Sequence, residues 1–233
     1  MSRALIQETL RAIKGSLGRF VAIMGIVALG CGFFAGLQMT GRDMRLAADE
    51  FYDTQGLYDI RVVSTLGFER ADINRLAAIE GVEAALPSRS ADVMATIHST
   101  RMVTRVIELP ADGAAASENS DAAQERPFNQ PVLTEGRWPV TANEVVISSD
   151  PKKHNDVPLG STIDIPESSG GVHLKGGAYT VVGYVNAPTF PSSNNFGSTS
   201  LGNGVVEEFA YVPAAAFEEN DPYTDVYLQV KEA

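Results

Sequence analysis

Apolar positions change their spacing several times along the chain, and each change marks a different kind of element. In SRALIQETLRAIKGSLGRF, Leu5, Ile6, Leu10, Ile13 and Leu17 recur at helical spacing, with Arg3, Gln7, Arg11 and Lys14 on the other side. The pattern predicts an amphipathic helix over 1–19, which either lies along a membrane surface or simply leads into the next apolar segment. From Phe20 to Leu37 the run FVAIMGIVALGCGFFAGL carries no charge, and Gln38 and Met39 extend it. A helix of about 20 residues spans roughly 30 Å, the hydrocarbon thickness of a bilayer, so 20–39 is predicted to cross one.

Three fates compete for that run. A cleaved signal has a shorter apolar region, about 7 to 15 residues, closed by a small-x-small site; LQMTG supplies none. A lipid-bearing Cys31 would use ALGC at 28–31, yet Ala28 stands where a larger aliphatic is usual and GFFAGL continues apolar. Length favours a retained helix. Arg3, Arg11, Lys14 and Arg19 precede it, whereas Arg42 and Arg45 are interleaved with Asp43 and followed by Asp49, Glu50 and Asp53. The positive-inside rule then places the N-terminus in the cytoplasm and residues after about 40 outside, at the cell membrane. Ala28, Gly32 and Gly36 are spaced four apart, with Gly25 on nearly the same face. Such a stripe admits the backbone of a neighbouring helix, although glycine is common in membrane helices generally.

Beyond the span, RDMRLAADEFYDTQ continues the helix and Gly56 marks its end. YDIRVVST (58–65) reads as a strand, and GFERADINRLAAIEGV as a helix burying Ile73, Leu76, Ala77 and Ile79 and stopping at Gly81. VEAALPSRSADVMATIH follows, and RMVTRVIEL (101–109) alternates as a strand. The order strand, helix, strand, strand predicts a small α+β unit whose helix covers one face of a sheet. PADGAAASENSDAAQERP (110–127) is small and acidic, a surface loop. Short strands then alternate with Gly, Pro and Asn: NEVVISS, STIDI, YTVVGYV, EFAYVP and YTDVYLQV, with PAAAFEEN as a helical turn. PTFPSSNNFGSTSLGNG (188–204) reads as an exposed loop. The last strand is followed at once by Lys231, Glu232 and Ala233, so the external domain is expected to be incomplete at its C-terminus.

Charge excludes one class of partner. The chain carries a net charge of −11, and since its N-terminal stretch is basic, the acidity lies beyond residue 40. Nucleic-acid binding needs clustered Lys and Arg, and no such cluster follows residue 45. Catalytic signatures are missing too. GGVHLKGG has a lysine among glycines but not phosphate-loop spacing, so no ATP hydrolysis is expected from this chain. There is no GxSxG elbow. His98, His154 and His173 stand far apart, and DPKKHND (150–156), with Asp150, His154 and Asp156, reads as a solvated turn rather than a metal site. Glu207 with Glu208, and Glu218 with Glu219, read as surface charge. No catalytic residue, cofactor or metal is expected. LTEGRWP reads as a structural corner, where Gly136 permits the bend and Trp138 buries.

LTEGRWP followed by NEVVISS, LGSTIDI, YTVVGYV and EFAYVP resembles the extracytoplasmic core domain of the MacB/FtsX-type ABC transporter permeases. RAIKGSLGRFVAIMGIVALGCGFFAGL followed by YDIRVVSTLGF resembles the first transmembrane helix and first external strand of the same superfamily. The resemblance implies an α+β fold: one transmembrane helix, then a mixed external domain over 40–233. That domain would have a small βαββ porter-like part (about 57–109 and 221–233) and a β-rich part (about 128–220). It also implies a non-catalytic permease segment that couples ATP-driven helix movement to the external domain for export or signalling. The implied partners are a cytoplasmic ABC ATPase subunit and further transmembrane helices or a second permease subunit, three further helices following in that family. A single-span surface-anchored binding or sensor protein is the alternative. Gly25, Ala28, Gly32 and Gly36 are the candidate helix-packing residues.

Overall fold

The computed structural model describes residues 11, 14–110, 128–149, 157–168, 171–190 and 196–231. Most of the amphipathic stretch 1–19, nearly all of the loop at 110–127, and 150–156 with His154 lie outside the described residues. The chain forms two units, 1–51 and 52–233.

Helix α1, Leu17–Gln55, makes up most of the described part of the first unit, and its last four residues belong to the second. Its 39 residues correspond to about 58 Å, so the helix covers the apolar run 20–39 and continues well past it. The continuation ends at Gly56, whose φ of +57° is the left-handed conformation that closes helices. Gly56 N–H donates to the Asp53 carbonyl and Leu57 N–H to that of Tyr52, the paired bonds of a Schellman stop.

The second unit contains two sheets. The smaller has the order β1 (Ile60–Phe68), β10 (Tyr223–Val230), β2 (Val82–Ser88), all antiparallel. Helix α2, Arg70–Ala77, packs on it, with Ile73 buried among Val226 and Leu228 and flanked by Val62, Phe68 and Leu76. In chain order this is β1, α2, β2 and then β10, a βαββ unit whose middle strand comes from the end of the chain.

The larger sheet has the order β5 (Val132–Gly136), β8 (Gly177–Asn186), β6 (Glu144–Ser148), β9 (Glu208–Val212), β4 (Thr100–Glu108), β3 (Ser90–Ile97), β7 (Thr162–Ile165). β7 also pairs with β8, so six strands close into a ring and β5 hangs on the outside of β8. The ring encloses Ala91, Val93, Val106, Val145, Ile147, Ile163, Leu174, Val181 and Phe217, all buried. A second cluster, including Ile107, Val146, Phe196, Phe209 and Tyr211, covers the other face of β4, β6 and β9. Within the segment 188–204, read as an exposed loop, Phe196 is buried in that cluster and Phe190 packs partly buried against it, with Ala187 and Val206 buried on either side of the segment. Phe190 stacks on Phe209 at 4.6 Å between centroids.

The strand expected with the small unit at 101–109 belongs instead to this larger sheet, as does β3. Both faces of β4 are apolar, Val106 toward the ring interior and Val103 with Ile107 away from it, which suits a central strand covered on two sides. His98 and Ser99, at φ +46° and +68°, form the two-residue turn that joins β3 to β4.

Candidate functional site

The helix-packing candidates lie where helical geometry puts them. Gly25, Ala28, Gly32 and Gly36 share a face of α1, all are exposed, and a Cβ added at any of the three glycines meets nothing within 4 Å. The neighbouring surface is uniformly apolar: Ile26 is 72% exposed, Leu29 78% and Phe33 69%. A continuous apolar surface of that extent needs lipid or other helices around it. Cys31 is a free thiol on the same helix.

In the second unit the corner at LTEGRWP is held by a residue the sequence did not single out. Gly136 bends at φ +85°, Trp138 packs partly buried against the outer cluster, and Arg137 turns toward Glu144. The guanidinium donates through Nη1 at 2.9 Å and Nη2 at 2.5 Å to the two carboxylate oxygens, while Val140 and Thr141 N–H groups donate to Glu144 Oε2. One carboxylate thus ties together the whole connection between β5 and β6. The Arg137 bonds, then the Val140 amide, hold its pKa down at about 2. Because the folded value lies below the ordinary carboxylate range, Glu144 contributes stability above about pH 4.3, lost as pH falls through about 2. Side-chain NMR should show Glu144 titrating near 2, and returning to the ordinary range in Arg137→Ala. An ordinary midpoint in the unsubstituted chain would contradict this account.

A second polar assembly sits where the two sheets meet. β2 passes into β3 through one residue, Arg89, whose side chain is 9% exposed. Its Nη1 donates to both Glu108 oxygens at 3.3 and 3.2 Å, its Nε and Nη2 donate to the carbonyls of Asp221 and Glu219, and its guanidinium stacks over Tyr223 at 4.5 Å. Burial pushes the Glu108 carboxyl above its ordinary pKa, with Arg89 opposing. On the other side of the crossing, Asp225, with a side chain 1% exposed, accepts from Arg61 Nε at 2.8 Å and from the Ser90 and Thr224 hydroxyls. A cleft of about 650 Å³ opens beside Asp225, Arg61, Asp92 and Arg105, and one of about 750 Å³ beside Arg89, Glu108, Arg70 and Tyr223. The arginines of the first are spent on Asp225 and Asp92, each pair joining neighbouring strands of one sheet, so neither guanidinium is left without a carboxylate.

The remaining sequence candidates fall apart in space or have structural work. His98 is a turn residue, and His173 Nδ1 pairs with Asp221 at 2.8 Å, which raises its pKa. Glu208, read as surface charge, is 2% exposed and accepts the Phe209 N–H through Oε1, because β9 is covered on both faces. Glu207 accepts the Val103 N–H. Glu218 is exposed, as read. Among the described residues no three His, Cys, Asp or Glu side chains are grouped to hold a metal ion.

The described residues thus hold one helix long and apolar enough to cross a bilayer, followed in the chain by a unit of two sheets. The chain belongs to the family of the MacB-like periplasmic core domain, whose model matches residues 20–233. Among solved structures it is similar to the extracellular domain of the noncanonic ABC-type transporter YknZ from Gram-positive bacteria. That match has 16% identity over 73% of this chain and 76% of that one, with a TM-score of 0.38. It is also similar to the periplasmic region of MacB from Actinobacillus actinomycetemcomitans (13% identity, 73% and 67% covered, TM-score 0.38). A permease-protein domain from Porphyromonas gingivalis matches at 17% identity, 73% and 70% covered, TM-score 0.38. No curated protein sequence matches.

Proposed function

We propose that this chain is the N-terminal part of an ABC permease subunit, in which ATP-driven movement of transmembrane helices is delivered to the external domain for export or transmembrane signalling. The observation that carries the reading is α1, an exposed apolar helix with a basic N-terminal flank that runs on into a MacB-like core domain. The charge asymmetry puts the N-terminus in the cytoplasm, where an ATPase subunit would act, and the 52–233 unit outside. ATP hydrolysis then falls to that separate subunit. Gly25, Ala28, Gly32 and Gly36 are the face on which further permease helices, or those of a second permease subunit, pack.

A photocrosslinking amino acid at Gly32 or Gly36, in native membranes, tests this against a lone anchor. Discrete protein adducts are expected from both positions, and few from Phe34, about half a turn away. Equal yields around the helix, or only lipid adducts, would favour a single-span binding or sensor protein.

A further inference from the structure

The end of α1 is bonded to more than the strand directly after it. The Gln55 and Gly56 carbonyls, which a helix terminus leaves without partners, accept N–H bonds from Gln130 at 3.3 Å and Asn129 at 2.5 Å. Gly56 fits because it has no side chain: a Cβ there would stand 3.0 Å from both Cα and Cβ of Phe128, besides being strained at φ +57°. Asn129 answers it at φ +56°, a conformation Asn tolerates better than other non-glycine residues. It is 5% exposed, and its Oδ1 accepts the Thr189 hydroxyl at 3.0 Å, in the segment that covers the larger sheet. Phe128 is buried beside it, and Gln130 Nε2 donates to the Phe128 carbonyl. Two residues on, the chain enters β5. Two left-handed residues, two backbone bonds and a buried amide therefore join the last turn of α1 to the larger sheet.

We propose that Gly56 and Asn129 form a latch that makes the last turn of α1 and the seven-stranded sheet one mechanical body. A displacement of the helix end then reaches the larger sheet directly, not only through β1 and the smaller sheet. Such a latch gives helix movement in a permease a defined route into the external domain, and it rests on the permease reading only for its purpose. The latch itself is measured without ATP or substrate, so an absent latch and a failed transport assay are separate results.

The test uses the full chain in lipid nanodiscs with Cys31→Ser, and nitroxide labels at Asp53→Cys and Val140→Cys, the latter in the turn after β5. A Val140→Cys and Thr162→Cys pair, both on the larger sheet, reports whether that sheet stays folded. The parent should give a narrow 53–140 distance distribution. Asn129→Ala should broaden it about twofold, as local opening at the latch becomes populated, while the 140–162 control is unchanged. Asn129→Gly, which accepts positive φ but loses the bond from the Thr189 hydroxyl, should fall between the parent and Asn129→Ala, and a distribution broader than that of Asn129→Ala would overturn the proposal. A 53–140 distribution equally narrow in Asn129→Ala overturns the proposal. In the unsubstituted chain, the Asn129 and Gln130 amides should exchange within about tenfold of those in β8, and free exchange there overturns it as well, whatever the variants do.

Discussion

Arg89→Met is expected to lower the stability of the 52–233 unit by about 3 kcal/mol, read from urea unfolding in detergent micelles by the fluorescence of Trp138. The size follows from the groups that the substitution leaves behind. Glu108 loses two charge-assisted bonds in a place where burial already pushes its pKa up, and the Asp221 and Glu219 carbonyls lose their donor. A methionine covers Tyr223 but satisfies none of them. Two further results separate this cause from a general packing defect. Removing both charges, as in Arg89→Met with Glu108→Leu, should recover most of the loss, since replacing a whole buried pair by apolar groups is often nearly neutral. The single variant's deficit should also shrink as pH falls, because a protonated Glu108 no longer needs a cation. If the double variant is less stable than the single one, the ion pair is not what holds the crossing.

Gly183→Val should be comparably damaging, at about 3 kcal/mol, for a steric reason. β5 and β8 pair with Gly136 opposite Gly183. A Cβ on Gly183 would lie 2.7 Å from the Arg137 carbonyl oxygen and 2.9 Å from that of Glu135, backbone atoms with little room to retreat. The expected consequence is detachment of β5 together with the corner that Glu144 organises, seen as a red shift in Trp138 emission before the main unfolding transition. Gly183→Val with an unchanged spectrum and midpoint would show that the two strands have slack. Gly30→Val, on a helix surface where a Cβ meets nothing within 4 Å, is the matched control and should leave this unit's unfolding unchanged.

These two sites differ in how far the sequence disclosed them. LTEGRWP announced a bend at Gly136 and a buried Trp138, because a glycine beside an apolar ring in a short polar connection has a local meaning. Its partner Gly183 sits inside YTVVGYV, where a glycine in a strand hints at a close approach but not at what approaches. Glu144 looked like the polar start of a strand, and only the fold of 137–144 turns its carboxylate toward Arg137 and two amides. Arg89 and Asp225 gave no local signal at all. Each is a charged residue in a run that reads as strand, and their burial depends on contacts more than 130 residues away.

What the sequence determines by itself is whatever arises from neighbours along the chain. A run of apolar residues with a basic flank determines α1 and its membrane character, glycine at 56 determines where the helix stops, and alternation determines where most strands lie. The tertiary structure alone decides which strands meet. It places β10, the last strand, between β1 and β2, gives β3 and β4 to the larger sheet, and closes that sheet through β7 and β8. A strand's own pattern says which of its faces are apolar, but several strands in this chain are apolar enough to serve as any other's neighbour. Pairing is settled by the joint burial of both faces and by polar groups such as Arg89, Asp225 and Asn129, which are satisfied in only one arrangement of the chain.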